Sequence, residues 1–407
     1  SSSKKTKNNR FLEKKIRLLS LFSGAGGMDL GFKQMGFDIV FANDFERDAC
    51  LTYSKNIDKN ILNCDICKIP NNEIPKNIDV LIGGFPCQGF SIANKNRNVD
   101  DHRNSLYKEM MRFIKISKPK IIVAENVKGI LSLGKGIIFN KIQEDLKNLG
   151  YKVDYRLVNT AFYGVPQQRE RVIIIANKIG CENLFPEKTH LEKDFITTEQ
   201  AIGDLKDIDI THNPIKIKEK VIYNHYASTN VHDKFWGRKH KINQHEICDY
   251  LKIWRTRAKV STKKVDDFFG YKHTAGHWFR KDNNSGSIPK PSDWWKLKKL
   301  LGFDDKYDKE VTELEEKQIV FEQSLRITNW KTPSDTITAT SPEIHINKER
   351  RLSVRECARL QTFPDDFVFY GSLNSMYKQI GNAVPVKFAH CITEKILEML
   401  DNQYVRR

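Results

Sequence analysis

The sequence predicts an α/β fold: a mostly parallel sheet with helices on both faces, joined to a smaller, loop-rich second domain. Three observations carry this. Apolar runs alternate with amphipathic segments through the first half of the chain, the pattern breaks after about residue 178, and amphipathic helices return from about residue 350. Strands that alternate with helices favour a parallel sheet covered on both sides.

Taken in order, "IRLLSLF" (16–22) reads as a buried strand, and "GMDLGFKQMG" (27–36) as a helix ended by Gly36. "FDIVFAND" (37–44) and "VLIGG" (80–84) are further strands. "SLYKEMMRFIKIS" (105–117) is an amphipathic helix stopped by Pro119, followed by the strand "KIIVAENV" (120–127). "FNKIQEDLKNLG" (139–150) is a helix, and "YKVDYRLVNT" and "RVIIIAN" (171–177) are strands. Residues 185–345 lose this regularity; "HTAGHWFRKDNNSGSIPKPSDWWKLKK" (273–299) mixes aromatics, cations and turn residues, and no long helix is expected there. The organisation expected is a basic flexible tail (1–15), a first domain (16–184), a second domain (185–345) and a C-terminal segment (346–407) that packs back onto the first.

The chain has 407 residues, with Lys+Arg 68 against Asp+Glu 51 and a formal net charge of +17. That excess points to a polyanionic partner, most simply nucleic acid, with an ordinary solvated basic surface as the alternative. No apolar stretch approaches the ~20 residues that span a bilayer, and no secretory pattern is present, so a cytoplasmic protein without a membrane partner is expected. Eight scattered cysteines do not suggest a disulfide framework. "CDIC" (64–67) lacks a second pair at zinc spacing, so no metal site is expected.

In such sheets ligands bind beyond the carboxyl ends of the strands, where three loaded segments fall. In "LFSGAGGMDLGF" (21–32) glycines let a ligand approach the backbone, and Asp44 closes the next strand 20 positions after Gly24, a spacing that suits a carboxylate on a ribose. Asp29 stands where a dinucleotide fingerprint needs its third glycine. A nucleoside cofactor without pyrophosphate, such as S-adenosylmethionine, fits better; a plain structural turn remains open. In "GGFPCQGFS" (83–91) a thiol, Cys87, follows Pro86 at a strand end, either as an exposed nucleophile or as a small buried apolar residue. Glu125 ends the strand "IIVA" at the same edge, where poor solvation is expected to raise its pKa and suit proton donation, with a helix-capping or salt-bridged glutamate as the alternative. In "QQRERVIIIA" (167–176) Arg169 and Arg171 alternate just before and into a strand, a spacing that sets both toward one pocket, with an ordinary solvated charge cluster as the alternative.

The motifs "FSGAGGMDLGF", "NDFE", "GGFPCQGFS", "AENV", "QQRERV", "RLSVRECARLQTFPD" and "QIGNAVP" follow one another in this order. In that combination the chain resembles the DNA (cytosine-5)-methyltransferase family of bacterial restriction–modification systems, nearly end to end. The resemblance implies a Rossmann-like, S-adenosylmethionine-dependent methyltransferase sheet. It implies that Cys87 attacks C6 of a cytosine flipped out of double-stranded DNA, that Glu125 holds and protonates N3, that Arg169 contacts the base and the catalytic loop, and that Arg171 supports Glu125 and the base. Phe22, Gly24, Gly26 and Gly27 would line the cofactor pocket. Asp44 would bind the ribose, Phe45 would stack on adenine, and Asp65 with Ile66 would meet the adenine edge. Leu106, Asn382 and Val384 would complete the pocket. Closure of the Cys87 loop would bring Gln88, Ser91, Lys95 and Arg97 to the DNA. Residues 185–345 correspond to the family's target-recognition domain, bordered by "TTEQAIGDL" (197–205) and "TPSDTITAT" (332–340), with Arg255, Arg257, Arg280 and Lys281 as candidate DNA contacts. A monomer acting beside a separately encoded restriction endonuclease, in the bacterial nucleoid, completes the expectation. A tRNA-directed relative is disfavoured by the long basic insert, and an inactive DNA-binding regulator by the presence of both Cys87 and Glu125.

Overall fold

The structure is a computed structural model that describes residues 15–84, 102–229, 244–270, 274–280, 288–312, 327–340, 342–347 and 349–405. The strands β1 (Ile16–Leu21), β2 (Phe37–Asp44), β3 (Ile61–Asn63), β4 (Val80–Gly84), β5 (Ile121–Val127), β6 (Lys152–Asn159) and β7 (Glu170–Asn177) form a seven-stranded sheet. Its order is β3-β2-β1-β4-β5-β7-β6. The first five strands pair in parallel, and β7 runs antiparallel between β5 and β6.

Successive strand residues face opposite ways, so each continuous apolar run supplies two cores at once. Leu18, Val80, Ile82, Val123 and Ile175 face one core, packed against α1 (Gly27–Gln34) and the C-terminal segment. Leu19, Leu21, Leu81, Ile122 and Ile174 face the other, under α3 (His102–Ser117) and α4 (Ile137–Asn148). The short α2 (Arg47–Asn56) and β3 complete the β2 edge; neither stood out in the sequence, because α2 carries few apolar residues and β3 has only three residues.

The segment after β7 begins with α5 (Thr198–Ile202) and a hairpin of β8 (Ile215–Ile217) and β9 (Lys220–Ile222). It continues through α6 (Gln244–Ala258), α7 (Thr262–Phe269), α8 (Thr274–Trp278) and α9 (Pro291–Leu301). The expectation of no long helix in 273–299 is therefore wrong. Helix α9 has 11 residues, starts on a proline at its first turn, and buries Trp294, Leu297 and Leu301 on one face. Its period begins only after Pro291, so the turn residues before it hid the pattern. These helices share a third apolar core built around Trp278, Trp294, Leu251 and Leu297.

The two borders of this segment meet. Thr198 N and Oγ1 each donate to Thr332 O at 2.9 Å. The chain then enters α10 (Val354–Leu360), α11 (Leu373–Gly381) and α12 (Val386–Val405). Helix α12 lies on α1 with almost no spacer: a Cβ at Gly31 would stand 2.5 Å from Ala389 Cβ.

A buried ionic cluster fixes the start of α10. Glu356 accepts from Arg350 Nη1 at 2.5 Å and Nη2 at 3.2 Å, and from Ser353 N at 2.8 Å, with His345 Nε2 3.3 Å away. Burial alone raises the Glu356 pKa, but the bonds and charges of His345 and Arg350 hold it down to about 2. Removing one partner of a buried pair leaves the other charge uncompensated, so Glu356→Gln is expected to cost about 3–5 kcal/mol at neutral pH in denaturant unfolding. The folded value lies below the unfolded one. The stabilisation is therefore complete above about pH 4.5 and lost as pH falls toward 2, and the gap between wild type and variant should narrow over that range.

Candidate functional site

At the carboxyl end of β1 the chain turns through three left-handed residues, Phe22 (φ 52), Gly24 (φ 58) and Gly26 (φ 95). Phe22 is the unusual one, since a side chain disfavours this region. The turn is tied to β2: Ser23 N donates to Asn43 O at 3.1 Å, and Gly24 N to Asp44 Oδ2 at 2.8 Å. Asp44 Oδ1 also accepts from Glu46 N at 2.9 Å. Burial raises the Asp44 pKa, partly offset by these two backbone donors. Among the described residues, no atom beyond its chain neighbours lies within 4 Å of where a Cβ on Gly24 would stand, so its backbone is open to a ligand on that side. Gly26 and Gly27 serve close packing: a Cβ on Gly26 would strike Ile57 and Tyr53, and one on Gly27 would lie 2.3 Å from Val384 O. Beneath the turn Asp29 is buried and accepts from Tyr53 Oη at 2.5 Å; burial pushes its pKa up to about 6.

A cavity of about 220 Å³ opens over this turn. Phe22, Gly24, Gly27, Asp44, Asn382 and Val384 line it. Gly26, Phe45, Asp65, Ile66 and Leu106 are not among its lining residues. Phe45 is 72% exposed, and Asp65 caps a short turn by accepting from Cys67 N at 3.0 Å. Ser375, Lys378 and Gln379 also line the cavity and were not singled out in the sequence. Their spacing with Asn382 is i, i+3, i+4, i+7, one face of a helix, and that was a usable signal. Lys378 Nζ pairs with Glu46 Oε1 at 3.3 Å, linking α11 to the start of α2. Among the described residues no group of His, Cys, Asp and Glu has the arrangement of a metal site.

The same cavity reaches Glu125. Parallel pairing sets Gly84 opposite Glu125, and a Cβ on Gly84 would stand 3.5 Å from Glu125 Oε1. Arg171 Nε lies 3.8 Å from Glu125 Oε2. Burial raises the Glu125 pKa, and the positive charges of Arg171 and Arg169 offset only part of this. Arg169 is 2% exposed; Nη1 donates to Ile337 O at 2.8 Å and Nη2 to Gly381 O at 2.7 Å. Its bonds therefore hold the C-terminal segment beside the carboxylate. A protonatable carboxyl flanked by two guanidiniums can donate to a ring nitrogen and stabilise the charge that develops around it. Cys87, Gln88, Ser91, Lys95, Arg97 and Lys281 lie outside the described residues.

The candidate DNA contacts do not form one group. Arg255 and Arg257 sit two residues apart on α6, about 200° around a helix of 3.6 residues per turn. Arg255 lies over Phe279 and Arg257 over Trp254, each 5.1 Å from the ring centroid. Arg255 joins Arg280 at a second cavity, which Arg257 does not line.

Against known proteins, the model of the family described as C-5 cytosine-specific DNA methylase matches residues 16–398. The type II methyltransferase M.NgoFVII of Neisseria gonorrhoeae is 32% identical over 415 residues, covering 99% of this chain and 92% of that protein. The type II methyltransferase M.FnuDI of Fusobacterium nucleatum is 33% identical over 394 residues, covering 95% and 96%. The crystal structure of the S. pombe Dnmt2 methyltransferase superposes with a TM-score of 0.54 at 16% identity, over 95% of this chain and 99% of that one, a likeness of fold alone. With the family match running from β1 into α12, and relatives of this identity aligned along nearly their whole length, the chain belongs to the C-5 cytosine-specific DNA methylase family and is a DNA cytosine methyltransferase of the restriction–modification type.

Proposed function

We propose that the protein transfers a methyl group from S-adenosylmethionine to C5 of a flipped-out cytosine in a specific double-stranded DNA sequence, through a covalent bond between Cys87 and C6. The observation that carries this reading is the pairing of Gly84 with Glu125. Cys87 follows Gly84 by three residues, so its Cα lies at most about 11 Å from that of Gly84 whatever path the loop takes. A link of that length lets the Cys87 thiol reach the edge where Glu125 borders the cavity.

The cavity suits the cofactor. It has an open glycine backbone at Gly24, a carboxylate at Asp44 held by two backbone donors, and no phosphate-binding fingerprint. Phe22, Gly24, Asp44, Asn382 and Val384 would hold the nucleoside and its amino-acid tail, with Phe45, Asp65, Ile66 and Leu106 added at the adenine end. When bound, S-adenosylmethionine supplies an electrophilic methyl group.

The chain supplies the rest. Cytosine C5 is a weak nucleophile until the aromatic ring is broken. Addition of the Cys87 sulfur at C6 gives C5 enamine character, and Glu125 neutralises the charge that develops at N3. C5 takes the methyl group as its bond to the sulfonium sulfur breaks and the neutral thioether leaves. Loss of the C5 proton to water then expels the Cys87 sulfur as thiolate, and N3 returns its proton to Glu125 as the aromatic ring is restored. Neither group reaches its atom inside a duplex, so the base must leave the stack at a cost of a few kcal/mol. The Arg171 charge opposes the rise that burial causes in the Glu125 pKa and so favours its carboxylate, and Arg169 fixes the wall of the pocket. Residues 185–345 would read the target. A monomeric enzyme that protects nucleoid DNA from a separately encoded endonuclease fits this chemistry.

Incubation with S-adenosylmethionine and unmethylated mixed-sequence DNA should place 5-methylcytosine at one short recurring motif. Cys87→Ala should abolish transfer while retaining DNA binding, and DNA carrying 5-fluorocytosine should trap wild type as a covalent complex. Turnover by the Cys87→Ala protein would rule out the adduct. Arg171→Gln removes a positive charge and should raise the Glu125 pKa further, read as a higher titration midpoint in carboxyl carbon NMR. An unchanged midpoint would show that Arg171 does not act on the carboxyl.

A further inference from the structure

The helical insert holds a basic cavity that the methyl-transfer chemistry does not use. Its volume is about 790 Å³, and its lining includes His245, Lys252, Arg255, Thr262, Phe279 and Arg280. Three of these are full cations, and none of the described lining residues is acidic. Lys252 and Arg255 are three apart on α6 and share a face.

Arg255 is held on two sides. Its Nη1 donates to Val260 O at 2.8 Å, and the guanidinium stacks over Phe279, which is 3% exposed. The Nε atom is buried and has no hydrogen-bond partner among the described residues. A position in the last turn of α6 accounts for the bond to Val260, because cations favour a helix C-terminus. It does not account for the unpartnered Nε, nor for Lys252 and Arg280 at the same cavity. The edge that remains, Nε with Nη2, is the planar fork that meets two oxygens of one anion.

We propose that this cavity docks a phosphodiester group of the DNA backbone. The proposal rests on the DNA reading above and adds where and how the insert grips its substrate. Lys252 and Arg255, three residues apart on one helix face, repel each other, and a bound anion relieves that repulsion. A base edge is neutral and would not; a phosphodiester carries the charge and the paired oxygens. The site therefore positions the duplex without reading its sequence.

Full-length wild type, Lys252→Gln, Arg255→Gln and Arg280→Gln are titrated by fluorescence anisotropy with two duplexes, one holding the mapped methylation motif and one lacking it, between about 50 and 200 mM salt. Each substitution should weaken both duplexes alike and lower the slope of log affinity against log salt by about 0.9. Lys147→Gln, which removes an exposed charge on α4, should leave the slope at the wild-type value. Arg280 is exposed, so Arg280→Gln decides the matter should Arg255→Gln fail to fold, with S-adenosylmethionine affinity as the check on folding. Wild-type slopes in the Lys252 and Arg280 variants would overturn the proposal. So would a loss confined to the motif-bearing duplex, which would make the cavity a base reader. If wild type binds neither duplex, the DNA reading itself fails.

Discussion

A buried knot of amide and guanidinium hydrogen bonds holds the site together. Gln167 donates to Leu360 O at 3.1 Å and to Gln361 Oε1 at 2.7 Å, and its own oxygen accepts from Ile337 N at 2.9 Å and Arg169 Nη1 at 3.1 Å. Gln361 in turn donates to Ile380 O at 2.8 Å and Ala383 O at 3.0 Å, while Arg169 reaches Ile337 O and Gly381 O. Four segments distant in sequence meet there: the approach to β7, the return from the insert, the end of α10 and the end of α11. Each bond is modest in net terms, but a buried donor or acceptor left unpaired costs about 1–3 kcal/mol, so the knot is satisfied as a whole or fails as a whole.

The knot explains how the cavity gains a wall from the far end of the chain. With Gly381 pinned beside Arg169, Asn382 and Val384 face the glycine turn, and Gly27 admits the Val384 carbonyl because it has no side chain. The same pinning fixes Arg169, whose charge acts on Glu125 together with that of Arg171 on β7. Burial and charge then pull the Glu125 pKa in opposite directions, and burial prevails.

The insert leaves and re-enters the sheet domain at adjacent points, because Thr198 and Thr332 are bonded to each other. Its helices have their own apolar core around Trp278 and Trp294. A segment anchored in this way can differ in structure without disturbing the catalytic end. Its cations are also divided by helix geometry: Arg255 turns toward Phe279 and the basic cavity, and Arg257 toward Trp254.

The sequence by itself determined the strands β1, β2, β4, β5 and β7, because continuous apolar runs bounded by turn residues have few other uses. It also brought out Gly24, Asp44 and Glu125, because glycine turns and strand-terminal carboxylates have local signatures. Tertiary structure alone decided what Arg169 holds, since its partners at Ile337 and Gly381 are 168 and 212 residues away. It alone showed that Ser375, Lys378 and Gln379 line the cavity, and that Arg255 and Arg257 part company. Helix α9 stayed hidden because its apolar face emerges only after Pro291, amid turn residues. Periodicity reports which face of an element is buried, but not what that face is buried against. The second question is settled by contacts between segments far apart in the chain, and those contacts build this site.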